Sequence, residues 1–217
     1  MQDAYIVYGA ELSYYSGKVR AYMRWKDIPF SEIRPSQDIY RNEIVPAVGY
    51  PVIPVIKLND GTIIQDTTDI IDFFEAHVNG PSVYPEGPKQ RLAALLLELY
   101  GDEWLVIPAM HYRWAYNKHW VVKEFGAALL PNGSEEEQRA LGSKVSKPFQ
   151  GFVPLLGVSP GTVPAIEGSY EALLKDLDAH FSTYDYLFGS RPSIGDFGLI
   201  GPLYAHLYRD PKSGELM

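Results

Sequence analysis

The sequence contains no cysteine in its 217 residues. No disulfide framework and no thiolate metal site can be built from it. Any thiol chemistry must therefore use a thiol borrowed from a ligand. Positive charge is also scarce: 19 Lys and Arg stand against 27 Asp and Glu, a formal net charge of -8. An acidic surface repels phosphate, which argues against general nucleic-acid binding and against a polybasic membrane anchor. Long apolar runs are missing as well. The longest, within Leu92–Leu99 and Trp104–Met110, are broken by charge or proline and fall short of the ~20 residues of a membrane helix. Met1–Ala10 carries an early acid, Asp3, and no basic start, so it does not read as a signal peptide. The expectation is a soluble, cytoplasmic protein. His111 and His119 lack the i, i+4 spacing of a helical metal pair, and no H-E-x-x-H occurs, so no metal is expected. G-x-x-x-x-G-K-S/T and G-x-G-x-x-G are absent too, which leaves no sequence case for a nucleotide.

What is present is ordinary globular material: 46% hydrophobic and 21% charged residues. Ala4–Tyr8 is short, β-branched and aromatic, and predicts a buried strand. Ser16 is a plausible N-cap for a helix over Ser16–Asp27 that ends before Pro29. Phe30–Arg34 predicts a second strand. Val52–Leu58 and Thr62–Gln65 form a strand pair about the turn Asn59-Asp60-Gly61. Thr67–Val78 is an amphipathic helix with Ile70, Ile71 and Phe74 inward, stopped by Asn79-Gly80. The order is β-α-β, then β-β-α. The Gly- and Pro-rich stretch within Glu75–Lys89 reads as a linker. After it the pattern is helical: a long segment Arg91–Phe125 with a kink or break at Pro108, a short helix among loops over Leu129–Pro164, Ile166–Leu187, and a last helix Ser193–Tyr208.

Three separated stretches carry a resemblance. Ser13-Tyr14-Tyr15-Ser16-Gly17-Lys18-Val19-Arg20 opens the first helix. Val52-Ile53-Pro54-Val55-Ile56 is followed by the turn and by Gln65-Asp66-Thr67-Thr68-Asp69-Ile70. Arg191-Pro192-Ser193-Ile194-Gly195-Asp196-Phe197 lies late in the chain. Together, in this order, they resemble the glutathione-transferase superfamily over nearly the whole chain. The resemblance implies an α/β plus all-α protein. Residues 1–80 would be a thioredoxin-like, glutathione-binding domain and residues 90–217 an all-helical domain.

The resemblance also implies site residues. Ser13 would hydrogen-bond the glutathione sulfur, as in the Ser-type transferases; Tyr8 is a rival donor, and Tyr14 and Ser16 are weaker ones. One hydrogen bond to a charged group is worth ~1.5–3 kcal/mol, enough to lower a thiol pKa of ~8.5 by about one to two units. The thiolate is the nucleophile. A cis Ile53–Pro54 bond would present the Ile53 backbone to the ligand's peptide groups. Asp66 and Thr67, at a helix start, would hold the glutamyl end: Thr67 its carboxylate, Asp66 its amino group. Ser193 and Asp196 form an S-x-x-D capping box with a structural role. Tyr14, Trp104, His111 and Tyr112 would line a pocket for a flat or apolar electrophile.

The implied function is conjugation of the glutathione thiolate to an apolar electrophile, with glutathione as co-substrate and a homodimer as the assembly. Val52 stands where many relatives place a lysine or other polar residue for the glycyl carboxylate. A second reading therefore stays open: a non-catalytic ligand-binding or interaction protein on the same fold.

Overall fold

The structure, a computed structural model, describes residues 5–217. Ala4, expected to start the first strand, lies outside them. The chain divides into two compact units. One comprises residues 1–102 with 184–205, the other 103–183 with 206–217.

The first unit is built on four strands: β1 (Tyr5–Tyr8), β2 (Phe30–Ile33), β3 (Val55–Lys57) and β4 (Ile63–Gln65). Their order is β2-β1-β3-β4, with β1 and β2 parallel and the other pairs antiparallel. The parallel pair needs a crossover, and α1 (Tyr14–Trp25) supplies it. Short helices α2 (Gln37–Ile39) and α3 (Val45–Val48) flank a π-helical turn Tyr40–Ile44, and α4 (Thr67–His77) follows β4. Alternation along β1 sends Val7 and Tyr8 to opposite faces. Val7 joins Val19, Tyr22, Met23, Ile56, Ile70, Ile71 and Phe74 in the main core. Tyr8 packs with Ile44 and Val55 on the other face.

Two helices from beyond the predicted linker belong to this unit, α5 (Pro88–Leu99) and α10 (Ile194–Ile200). Their backbones nearly touch: a Cβ on Gly198 would lie 2.5 Å from Glu98 Cα. The Ser193–Asp196 capping box is present; the Ser193 N–H and hydroxyl each donate to Asp196 Oδ2 at 2.8 Å. A π-helical turn, Tyr100–Trp104, continues α5.

The second unit holds α6 (Val106–Ala115), α7 (Lys118–Leu129), α8 (Glu135–Phe152), α9 (Val163–Phe181) and the short α11 (Pro211–Gly214). The long helical segment expected over Arg91–Phe125, with a kink or break at Pro108, is several helices, interrupted at the π-helical turn and at Asn117, while Pro108 lies within the first turn of α6. The expected short helix within Leu129–Pro164 is the 18-residue α8, opened by a Ser134–Glu137 capping box. Its Gly142 is a contact residue: a Cβ there would fall 1.9 Å from the Val122 carbonyl oxygen, and one on Gly126 1.9 Å from that of Gln138. Arg113 and Asp210 form a buried bidentate pair, with Nε–Oδ2 2.7 Å and Nη2–Oδ1 2.6 Å. The Asn117 side chain accepts from the Lys212 N–H at 2.8 Å. These bonds fasten α11 to α6. Among the described residues no helix is long and apolar enough to cross a membrane.

Candidate functional site

Strand register brings the candidate residues of the first unit to one end of the sheet. Val55 pairs with Tyr8 on one side and with Gln65 on the other. Tyr8 ends β1, Val55 begins β3 and Gln65 ends β4, so these three residues form a row across adjacent strands about 4.8 Å apart. Pro54 immediately precedes that row, Asp66 immediately follows it, and Ser13 opens the helix that leaves β1. The Ile53–Pro54 bond is cis, as the resemblance implies.

Ser13, not Ser16, is the N-cap of α1. Its Oγ accepts from the Ser16 N–H at 3.2 Å. Ser16, the expected cap, is fully buried, and its Oγ accepts instead from the Ala10 N–H at 3.3 Å. A capping hydroxyl that accepts one bond keeps its own hydrogen to donate. Tyr8 is committed elsewhere. Its hydroxyl donates to Glu43 at 2.9 Å on the opposite face of the sheet, and burial, with help from Glu43, pushes its pKa up. Lys57 Nζ meets the same carboxylate at 2.6 Å.

Asp66 caps α4, its Oδ1 accepting from the Thr68 N–H at 2.8 Å. Its backbone is held at φ 77°, ψ 133°. A non-glycine residue at positive φ costs about 1–3 kcal/mol and survives only where its surroundings fix it, commonly at a functional site. Thr67 is the first helical residue and is buried. Among the described residues neither its hydroxyl nor the Ile53 peptide groups take a hydrogen-bond partner within the chain. The end of α4 therefore offers an N–H, a hydroxyl and a positive dipole end to an anion.

Behind this end lies a buried polar network. The fully buried Lys18 donates to Glu98 Oε1 at 2.7 Å, to Asp102 Oδ2 at 2.6 Å and to Thr68 Oγ1 at 3.4 Å. The Thr68 hydroxyl donates to the same Glu98 oxygen at 2.8 Å. Asp102 Oδ1 is buried and lacks a partner among the described residues. Burial raises the Asp102 carboxyl to about 6, and repulsion from Glu98 and Asp66 adds to it against the pull of Lys18. Tyr14, placed by the resemblance in a pocket, is buried and donates its hydroxyl to the Gly101 carbonyl. Tyr15 donates to the Asp102 carbonyl at 2.8 Å. The paired tyrosines clamp the π-helical turn onto the start of α1. Lys18, Thr68, Glu98 and Asp102 escaped the sequence reading. The available signal was a charged residue, Lys18, on the apolar face of α1.

In the second unit His111 Nε2 lies 2.7 Å from Glu167 Oε1, and the Tyr116 hydroxyl donates to the same oxygen at 2.7 Å. These bonds hold the Glu167 carboxyl below its ordinary range. Tyr112 is buried 5.4 Å, ring to ring, from Tyr170; burial, with Glu167 and Glu171 nearby, pushes its hydroxyl up to about 12. Trp104 is 58% exposed. Among the described residues no three His, Asp or Glu side chains are placed to hold a metal ion.

A four-stranded mixed sheet with an anion-receptive helix end and a mostly helical remainder defines a thioredoxin-like domain joined to helices. Residues 7–82 match the family model of the glutathione S-transferase N-terminal domain. A GST-like protein of Pseudomonas syringae is 19% identical over 99% of this chain and 61% of its own, with a TM-score of 0.62. A glutathione S-transferase of Methylobacterium radiotolerans, solved with glutathione sulfonate, is 19% identical over 99% of this chain and 88% of its own, TM-score 0.54. A family member from Pseudomonas fluorescens Pf-5, solved with bound glutathione, is 14% identical over 98% of this chain and 87% of its own, TM-score 0.50. Identities this low establish the fold alone. No curated protein matches the chain. Residues 7–82 are a glutathione S-transferase N-terminal domain, and the chain as a whole has the glutathione S-transferase fold.

Proposed function

We propose that the protein binds glutathione on its first unit and transfers the glutathione thiolate to an apolar electrophile. The observation that carries this is the shared row of Tyr8, Val55 and Gln65, which sets Ser13, Ile53 and Asp66-Thr67 at one end of the sheet. The ligand's glutamyl carboxylate takes the Thr67 N–H and hydroxyl, and its amino group faces Asp66. Its cysteinyl peptide groups pair with those of Ile53. Ser13 donates its free hydroxyl hydrogen to the sulfur; Tyr8, spent on Glu43, drops behind it. The electrophile belongs to the helical unit, where Trp104, His111 and Tyr112 are the candidates.

Ser13→Ala tests the assignment. Turnover with a chloronitrobenzene electrophile should fall about tenfold or more, the effect of losing one to two units of thiol pKa depression. Unchanged turnover would remove Ser13 from the role. A homodimer belongs to the same proposal. Leu92, Leu95, Leu96 and Leu99 form an i, i+3, i+4, i+7 stripe on α5, and all four are exposed. Sedimentation equilibrium reads whether a second copy covers it.

The binding-protein alternative draws on two features. Val52 is apolar where relatives meet the glycyl carboxylate, and Lys57 is paired with Glu43. Glutathione binding without any turnover would favour it.

A further inference from the structure

We infer that Lys18 and Asp102 form a proton-sensitive latch on the first turn of α4, closed while the Asp102 carboxylate is ionised and released when it is protonated. Its ligand is the glutathione amino-acid end proposed above, and to that extent the inference rests on that reading.

The geometry is a cluster of groups centred on one ammonium. Lys18 reaches from α1 to Glu98 on α5, to Asp102 in the π-helical turn and to Thr68 in the first turn of α4. Thr68 adjoins Thr67, the proposed carboxylate donor. The charged groups facing Asp102 are Lys18 from α1, Glu98 from α5 and Asp66 from the cap of α4. One cation thus serves two carboxylates, and a third, Asp66, adds to the negative field at Asp102. The oxygen with room for a proton is Oδ1, which has no partner among the described residues. Protonation turns the Oδ2 contact with Lys18 from a charge-assisted bond into a neutral one, about half as strong. Lys18 is then balanced by Glu98 alone and draws toward it. Glu98 Oε1 is also the acceptor of the Thr68 hydroxyl, so the two donors compete and the turn loosens. The negative potential that faces the ligand's ammonium falls in the same step. Both effects weaken retention of an amino-acid end.

With a carboxyl that titrates near pH 6, the latch is mostly closed at pH 7 and mostly open at pH 5. S-methylglutathione, which has no thiol to titrate, is the clean probe in this window: its carboxyl groups titrate below about 4 and its amine near 8.

The test is a titration of S-methylglutathione into the full chain at pH 7 and pH 5, for the wild type and Asp102→Asn. The wild-type dissociation constant should rise about fivefold on acidification, which corresponds to a one-unit fall in the carboxyl pKa, from about 6, on binding. Asp102→Asn should be weak already at pH 7 and change less than twofold. Hydrogen exchange in the ligand-free protein reads the latch independently. The Thr68 and Ile70 amides, both bonded to Asp66, should lose protection in the wild type at pH 5 after correction for intrinsic rates. In the variant they should be less protected at both pH values. Unchanged wild-type exchange, or a variant that keeps the wild-type step, would overturn the latch whatever S-methylglutathione does. An intact exchange step with no S-methylglutathione binding at either pH would support the latch and overturn the glutathione reading instead.

Discussion

Replacing Asp102 by Asn should make the protein more stable at neutral pH, although it removes a buried ion pair. The wild-type carboxyl titrates at about 6 in the fold against an ordinary 3.8. Because the folded value is the higher one, its stabilising contribution is complete below the unfolded pKa and is lost as pH rises through 6. At about 1.4 kcal/mol per unit, a shift of about two units amounts to about 3 kcal/mol over the full range, and about 2 kcal/mol between pH 4.5 and 7.5. Asparagine keeps the size and an acceptor oxygen but has no such transition. Lys18 retains Glu98, so the network stays charge-balanced. Urea unfolding of both proteins at pH 4.5 and 7.5 measures the difference, and groups common to both cancel. The stability gap, variant minus wild type, should grow by about 2 kcal/mol toward pH 7.5. Parallel pH profiles would refute the reasoning. A gap that shrinks toward neutral pH would mean that Asp102 is held ionised by Lys18, with its carboxyl below its ordinary value.

Two further substitutions probe the second unit. Arg113→Ala leaves Asp210 buried without its bidentate partner and should cost about 3–5 kcal/mol in denaturant unfolding; a loss below 1 kcal/mol would show that solvent reaches the pair. Gly142→Ala puts a methyl group 1.9 Å from the Val122 carbonyl oxygen, so α7 and α8 must separate. The expected loss is about 1–3 kcal/mol, seen as a lower melting temperature, and an unchanged Tm would contradict the close crossing.

Local patterns were legible where local bonds decide the outcome. The strand pair about Asn59-Asp60-Gly61, the start of α4 at Thr67 and the Ser193–Asp196 box all follow from residues a few positions apart, and all are in the structure. The register at the start of α1 was harder. Ser16 was expected as the cap, but packing buries it, and the helix opens three residues earlier on Ser13. The helix α8 was hidden by composition: Gly142 and Pro148 lower its propensity, yet Gly142 is what its contact with α7 requires. Lys18 lies in the stretch that opens α1, but its partners Glu98 and Asp102 are 80 and 84 positions away, and no periodicity links them. Gly198, which lets α5 pack against α10, depends on the same kind of distant contact.

The central claim is that one end of the sheet is a glutathione site. The most direct measurement is a titration of glutathione at pH 7, followed by heat and by the amide shifts of Ile53 and Thr67. Saturable heat, with the largest shifts at those two residues and at the Ser13 turn, is the result predicted. No heat and no shift at millimolar glutathione would contradict it.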